Sequence, residues 1–249
     1  MKLSRKLTMT LAALLSFTLL AAACGDDAEE ASTDADFIVV DEGEQVQIRS
    51  LNAITGDVAF LGVPNQNAVE AAIADYGDIN GFEVNMGQGL DDLCSADGGQ
   101  AAAQTIVADA QIAGVIGTSC SGAATAAAPL IAEAGIVMIS GSNTSPALTS
   151  DLLGTAGENY NAGYYRTAHN DLYQGAAMAD FVYNDLGYTT AAAMHDGDPY
   201  TQGLAQAFSD AFEALGGTMT GFTGVNKEDT DMVPVLTEIA AGSPQALFF

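Results

Sequence analysis

Two stretches of this chain concentrate hydroxyls, glycines and main-chain N–H groups of the kind that hold a small polar ligand. They are Thr118-Ser119-Cys120-Ser121-Gly122 and Ser140-Gly141-Ser142-Asn143-Thr144-Ser145-Pro146. The first opens a segment with Ala123, Ala127, Leu130 and Ile131 at helical spacing, ended by Gly135. A helix N-terminus draws anions through its unpaired N–H groups and its dipole. Neither stretch holds Lys or Arg. A carboxylate bound there would rest on neutral donors, and Ser119, Cys120, Ser121, Ser142 and Thr144 are the candidate contacts. The plainer alternative is that these residues are helix caps and turn formers.

Nucleophilic chemistry fits less well. Ser119, Cys120 and Ser121 are nucleophile types, but Gly117-Thr118-Ser119-Cys120-Ser121 is not the G-x-S-x-G elbow. The two histidines, His169 and His195, stand in separate segments without triad spacing. Asp196-Gly197-Asp198 lacks the ligand series of a calcium loop and reads as a tight turn. The expectation is a binding protein rather than an enzyme, with no catalytic residues, metal or cofactor.

The elements that must position the two loops follow from hydrophobic periodicity. Short apolar runs, Ile112–Ile116 and Ile136–Ile139, precede them as parallel strands. In open parallel sheets, ligands bind outside the carboxyl ends of the strands. Upstream, Gln45–Leu51 reads as a first strand and a helix carries Val69, Ala72, Ile73 and Tyr76 on one face. Phe82–Met86 reads as a strand, Gly87–Asp97 as a loop, and Gln100–Ala110 as a helix with Ala103, Ile106, Val107 and Ala110 inward. This βαβαβαβ order predicts one doubly wound lobe. Tyr164-Tyr165-Arg166-Thr167 is a short strand leaving it.

A second α/β series follows. It has a helix over Leu172–Leu186 with Ala176, Ala179, Val182 and Tyr183 inward, a strand over Thr190–Met194 and a helix over Tyr200–Leu215. A strand over Gly221–Val225, a helix over Asp231–Ala241 and a strand begun at Ala246–Phe249 complete it. The chain stops inside that element, so the second lobe is expected to be incomplete. The domain reading is 45–165 for the first lobe and 166–249 for part of the second.

The chain begins with a different kind of segment. Lys2, Arg5 and Lys6 precede an apolar run, Leu7–Ala23, which ends in small residues before Cys24. This is the pattern of a secretory signal, too short for a membrane span. Residues 24–44 include Gly25–Asp36, with six acids and no apolar periodicity, read as a solvated tether reaching about 20 Å. Three of the six bases lie in the signal, leaving Arg49, Arg166 and Lys227 against 32 acids. Nucleic-acid binding is excluded, because phosphate neutralisation needs clustered bases. Such a surface suits high salt, where self-repulsion is screened. Export permits a disulfide. Cys94 and Cys120 stand at the same rim of the predicted sheet, either bridged or as two free thiols.

Several motifs, in order, carry a resemblance. Thr55-Gly56 follows the first strand, Val115-Ile116-Gly117 precedes the serine loop, and Ile139-Ser140 leads to Thr144-Ser145-Pro146-Ala147-Leu148-Thr149. Tyr165-Arg166-Thr167 with Gln174-Gly175, His195-Asp196 with Tyr200 and Gly203, and Asp231 before Val235-Leu236 continue the series. From Val46 to Phe249 the chain resembles type I periplasmic binding proteins, closest to the branched-chain amino-acid binding proteins of ABC transporters. The resemblance implies an α/β fold of two lobes, each a doubly wound, mostly parallel sheet, closing over a ligand.

In residue terms it implies that Ser121 takes the α-carboxylate, Thr144 bridges carboxylate and ammonium, and the Ser142 carbonyl accepts from the ammonium. Tyr200 closes on the site from the second lobe, and Leu61 falls where some members place an aromatic ring. Members with a disulfide at the positions of Cys94 and Cys120 exist. The family's acidic partner for the ammonium is expected beyond Phe249. The residues before Cys24 resemble a lipoprotein box, which implies lipidation of Cys24 and anchoring at the outer face of the membrane. The implied partners are an amino acid or amide and a membrane permease, with the protein a monomer. A ligand sensor of the same fold, and binding of amides or urea, are the alternatives.

Overall fold

The computed structural model describes residues 39–249. The expected signal, Cys24 and most of the tether lie outside the described residues. Two parallel sheets organise the rest. The first contains β1 (Val46–Asn52), β2 (Val84–Asn85), β3 (Leu90–Asp91), β4 (Ile112–Gly117), β5 (Val137–Ser140) and β6 (Tyr164–Arg166). Their order is β2-β1-β4-β5-β6, with β3 also on β1. The intervening helices are α1 (Ala59–Tyr76), α2 (Ala96–Val107) and α3 (Ser121–Glu133).

One face of this sheet is closed by α2 and α3. Ala102, Ala103 and Ile106 of α2 and Ala124, Ala127, Ala128 and Ile131 of α3 pack with Leu51, Val115 and Met138. Small residues allow this close approach, and a Cβ at Gly99 would meet the Ala123 carbonyl at 2.4 Å. The other face is covered only loosely, by α1. Of the apolar stripe predicted on α1 only Val69 is buried; Tyr76 is 79% exposed. Val69, Ala72, Ile73 and Tyr76 instead line a cavity of about 440 Å³ with Ile48 and Ile116.

Three expectations in this lobe need correction. The predicted strand over Phe82–Met86 shrinks to two residues, and a second pair, Leu90–Asp91, forms within the predicted loop. The helix expected at Gln100 starts at Ala96, because Ser95 caps it by accepting from the Gly98 N–H at 3.1 Å. Ala110 lies beyond its end and is exposed. Arg166 remains in the first sheet, since Ser140 pairs with it in β5–β6.

The second sheet is β8-β7-β9, all parallel: β7 (Thr190–His195), β8 (Thr218–Gly224) and β9 (Ala246–Phe248). The helices of this lobe are α4 (Asp171–Asp180), α5 (Pro199–Ala214) and α6 (Val233–Ala241). Phe208 and Phe212 of α5 are fully buried with Ala179 and Val182, and Phe208 stacks on Phe248 at 4.5 Å between ring centroids. Ile239 of α6 packs with Ala192 and Met194. The predicted inner residue Ala176 is exposed and Gly175 is buried in its place. The reason is the close crossing of α4 and α5: a Cβ at Gly175 would lie 2.6 Å from the Ala207–Phe208 peptide. Beyond Asp180 the helix widens into a π turn, Phe181–Asp185.

Candidate functional site

The two hydroxyl-rich loops meet at the carboxyl edge of the first sheet. β4 ends at Gly117, where a Cβ would overlap the Leu51 carbonyl at 1.8 Å, so only glycine lets the strand turn away here. The following loop is fixed from below by Asp92, a fully buried carboxylate. It accepts from the Ser119 N–H at 2.6 Å and the Cys94 N–H at 2.7 Å. Burial pushes its pKa up, and the neighbouring Asp91 charge adds to this, while the N–H donors oppose the shift. Cys94 and Cys120 form a disulfide with Cα atoms 5.1 Å apart. Leu93 and Cys94 are left-handed at φ 50° and 47°. The Asp91 and Asp92 carboxylates hold that turn by accepting from the two N–H groups.

Ser121 is the first residue of α3 and is 2% exposed. Its hydroxyl accepts from the Ser145 N–H at 3.3 Å, which ties the first loop to the second. Arg166 holds the second loop on both sides of Thr144. Its guanidinium donates to the Ser145 carbonyl at 2.8 Å, the Asn143 carbonyl at 3.3 Å and the Thr149 hydroxyl at 2.7 Å. Tyr164 donates to Asn143 Oδ1 at 3.0 Å, and burial pushes its phenol up to about 12. Among the described residues, the N–H groups of Ser121 and Thr144 and the Ser142 carbonyl have no hydrogen-bond partner in the protein. Neutral donors and one acceptor thus stand together, as an α-carboxylate beside an ammonium requires.

Not every candidate joins this arrangement. Ser119 is committed inside the lobe: its hydroxyl donates to Asn52 Oδ1 at 3.1 Å and accepts from the Ala53 N–H at 3.0 Å. With its N–H on Asp92, it has a packing role rather than the expected ligand contact. The Cys120 sulfur is in the disulfide, so this residue contributes through the α3 N-cap. The Ser142 hydroxyl turns to the Ser119 carbonyl at 3.1 Å, which leaves the Ser142 carbonyl as its candidate group. Leu61 lies on the first turn of α1 and is 36% exposed.

The residue that the sequence did not single out is Asp171. It opens α4 in the second lobe, and its N–H donates to the Thr144 carbonyl at 3.0 Å. Its side chain is fully buried, and neither carboxylate oxygen has a hydrogen-bond partner among the described residues. The His169 Nε2 stands 4.0 Å from Oδ1. Burial raises the Asp171 pKa; the Thr144 hydroxyl, close to the carboxylate but outside hydrogen-bond geometry, and the His169 and Arg166 side chains work against the rise. Tyr200, on the first turn of α5, is 39% exposed; burial and the Asp171 charge push its phenol up. Thr144 of the first lobe thus meets Asp171 of the second, and Tyr200 lies near enough for the Asp171 charge to act on its phenol. The signal for Asp171 was an acid placed directly after the helix-capping Asn170, which reads equally well as ordinary first-turn chemistry.

Two parallel α/β lobes that meet at Thr144 and Asp171, with free N–H donors on one side and a buried carboxylate without a hydrogen-bond partner among the described residues on the other, fit a binding protein of the two-lobe type. The chain belongs to the periplasmic binding protein family, whose model matches residues 45–249. Among curated relatives, an amino acid binding protein of Pseudomonas aeruginosa is 29% identical over 78% of this chain and 50% of its own length. The Leu/Ile/Val-binding protein of Escherichia coli is 27% identical over 79% of this chain and 52% of its own. The chain therefore spans about half the length of these relatives.

Among solved structures, the leucine-binding protein LivK of Thermotoga maritima superposes with a TM-score of 0.71 at 25% identity, over 81% of this chain and 55% of that one. LivJ of Streptococcus pneumoniae, in complex with isoleucine, gives 0.66 at 20% identity over 82% and 56%, a likeness of fold. The type I fold expected from the motifs is thus shown.

Proposed function

We propose that this chain is the ligand-capturing part of an extracytoplasmic solute-binding lipoprotein of an ABC importer, and that its ligand is an α-amino acid. The observation that carries this reading is the Asp171 carboxylate, buried and without a hydrogen-bond partner among the described residues, near free donors at Ser121 and Thr144. A buried charge without a partner is costly, and an α-ammonium would supply one. In this reading the Ser121 and Thr144 N–H groups and hydroxyls hold the carboxylate. Asp171 and the Ser142 carbonyl hold the ammonium, and Tyr200 covers the ligand as the lobes close. Lipidation at Cys24, tethering over residues 24–44 and delivery to a permease are parts of the same proposal, supported by the lipoprotein-box resemblance and the family.

The test is a thermal-shift titration of the full chain in high salt with leucine, isoleucine, valine, phenylalanine, small polar amino acids, benzoate, urea and short amides. A ligand at a hundredfold its dissociation constant adds about 2.7 kcal/mol, a rise of about 5–10 °C for a domain of this size. A shift restricted to amino acids is the expected result. A shift with benzoate or amides but none with amino acids would overturn the amino-acid reading, because those ligands bring no cation to Asp171.

A further inference from the structure

Gly122 is out of place in its own helix. It is the second residue of α3 and is followed by Ala123, Ala124, Thr125, Ala126, Ala127 and Ala128. Alanine is the better helix former, and glycine costs backbone entropy. The backbone does not demand glycine here, since Gly122 is not among the residues with positive φ. Packing within the first lobe gives no reason either. Outside its own helix, the atoms nearest to a Cβ at this position all belong to the second lobe. They are Asp198 Oδ2 at 2.6 Å, Asp198 Cγ at 3.4 Å and Pro199 Cδ at 3.4 Å.

Asp198 has little room to yield. It caps α5, with Oδ1 accepting from the Tyr200 N–H at 2.8 Å. Turning its carboxylate aside would sacrifice that cap and disturb the helix that carries Tyr200. The N-termini of α3 and α5 therefore abut, and the missing side chain at Gly122 is the space into which the Asp198 carboxylate fits. A glycine whose three nearest neighbours beyond its own helix lie on the other lobe matters in the arrangement where the lobes are together, and not where they are apart.

We propose that Gly122 and Asp198 form the contact that sets how far the two lobes can close, Gly122 being a positioning residue for closure rather than a ligand contact. A side chain at 122 penalises the closed arrangement alone. It lowers apparent affinity by reducing the competent population while leaving the stability of the chain unchanged or raised. This inference gives a mechanical basis to the capture reading and rests on it for its biological meaning, but its test needs no ligand.

The test uses the full chain carrying Ser145→Cys and Gly203→Cys. These positions meet across the lobe junction, a Cβ at Gly203 lying 3.6 Å from Ser145 Oγ, within reach of a disulfide. The rate at which that bridge forms under a fixed oxidant reads the closed population. Adding Gly122→Ala is expected to slow trapping about tenfold with an unchanged or higher thermal midpoint. Further adding Asp198→Ser, which keeps a good cap on a shorter side chain, is expected to restore the rate. Should Gly122→Ala fail to fold, Asp198→Glu, which lengthens the side chain toward Gly122, is expected to slow trapping in the same way.

Trapping of either variant at the parental rate would overturn the proposal, as would a slow rate in Gly122→Ala that Asp198→Ser leaves unrestored. If no ligand shifts the wild-type chain while trapping still responds to Gly122, the capture reading fails and the closure contact stands.

Discussion

The Asp171 N–H donates to the Thr144 carbonyl at 3.0 Å, so the first helix of the second lobe begins against the second hydroxyl-rich loop of the first. The same residue places a carboxylate with no hydrogen-bond partner among the described residues at that junction. The candidate site and the lobe junction thus share Thr144 and Asp171.

Asp171→Asn is expected to reduce amino-acid affinity by about tenfold to a hundredfold, because a charge-assisted bond to the ammonium is worth about 1.5–3 kcal/mol. The same change is expected to stabilise the unliganded chain by about 1 kcal/mol or more, since it removes an unpaired buried charge. Calorimetric titration and thermal unfolding of one variant check both halves. Weaker binding without added stability would mean that the carboxylate is already compensated.

Affinity should also depend on pH with a definite sign. The Asp171 pKa is raised by burial. Above that pKa the carboxylate is charged and receives the ammonium; as pH falls through it, a proton competes and affinity drops. For the unliganded fold the sign is opposite. A raised pKa makes the native state bind the proton more tightly, so the Asp171 contribution is most favourable at low pH. It declines as pH rises from the ordinary carboxylate range through the raised value. Titrations across mildly acidic pH in wild type and Asp171→Asn should differ in slope, the variant being flat for this group.

Ser121→Ala with Thr144→Ala should remove two hydroxyls from the carboxylate site while leaving the N–H groups. The expected loss is about tenfold to a hundredfold in affinity. Ser121 also accepts from the Ser145 N–H, so Ser121→Ala leaves a buried donor unpaired and should lower the thermal midpoint more than Thr144→Ala. Separate unfolding curves for the single variants test this order.

Reduction of the Cys94–Cys120 bridge, which closes a 26-residue separation, should cost about 3 kcal/mol. It should also loosen the loop before Ser121, because the left-handed turn at Leu93 and Cys94 then rests on the Asp91 and Asp92 carboxylates alone. Unfolding with and without reductant, followed by ligand titration of the reduced protein, reads both effects.

With three bases against 32 acids after the expected signal, the folded chain repels itself in dilute buffer. Its thermal midpoint should climb steadily as sodium chloride rises from low to molar concentration. A midpoint indifferent to salt would remove the high-salt habitat as an explanation of the acidity.

Much of this was legible in the sequence. Apolar runs of strand length alternating with helical spacing specify parallel α/β units, because burying a sheet on both faces needs apolar strands and amphipathic crossovers. The hydroxyl loops after β4 and β5 follow from the rule that such sheets bind at their carboxyl edge, which is where Ser121 and Thr144 lie. The tertiary structure decided what each polar group in those loops is free to do. Ser119 and Ser121 look alike in sequence, two residues apart. Yet Ser119 is spent on Asn52, Ala53 and Asp92, while the N–H of Ser121 stays free.

Asp92, Asp171 and Asp198 are three acids among 32, and only their surroundings tell them apart: one anchors a loop, one stands unpaired between lobes, and one fills the space over Gly122. Local periodicity depends on neighbours a few residues away and can be read along the chain. The burial of a charge and the pairing of a donor depend on residues distant in sequence, and these the folded chain alone assigns.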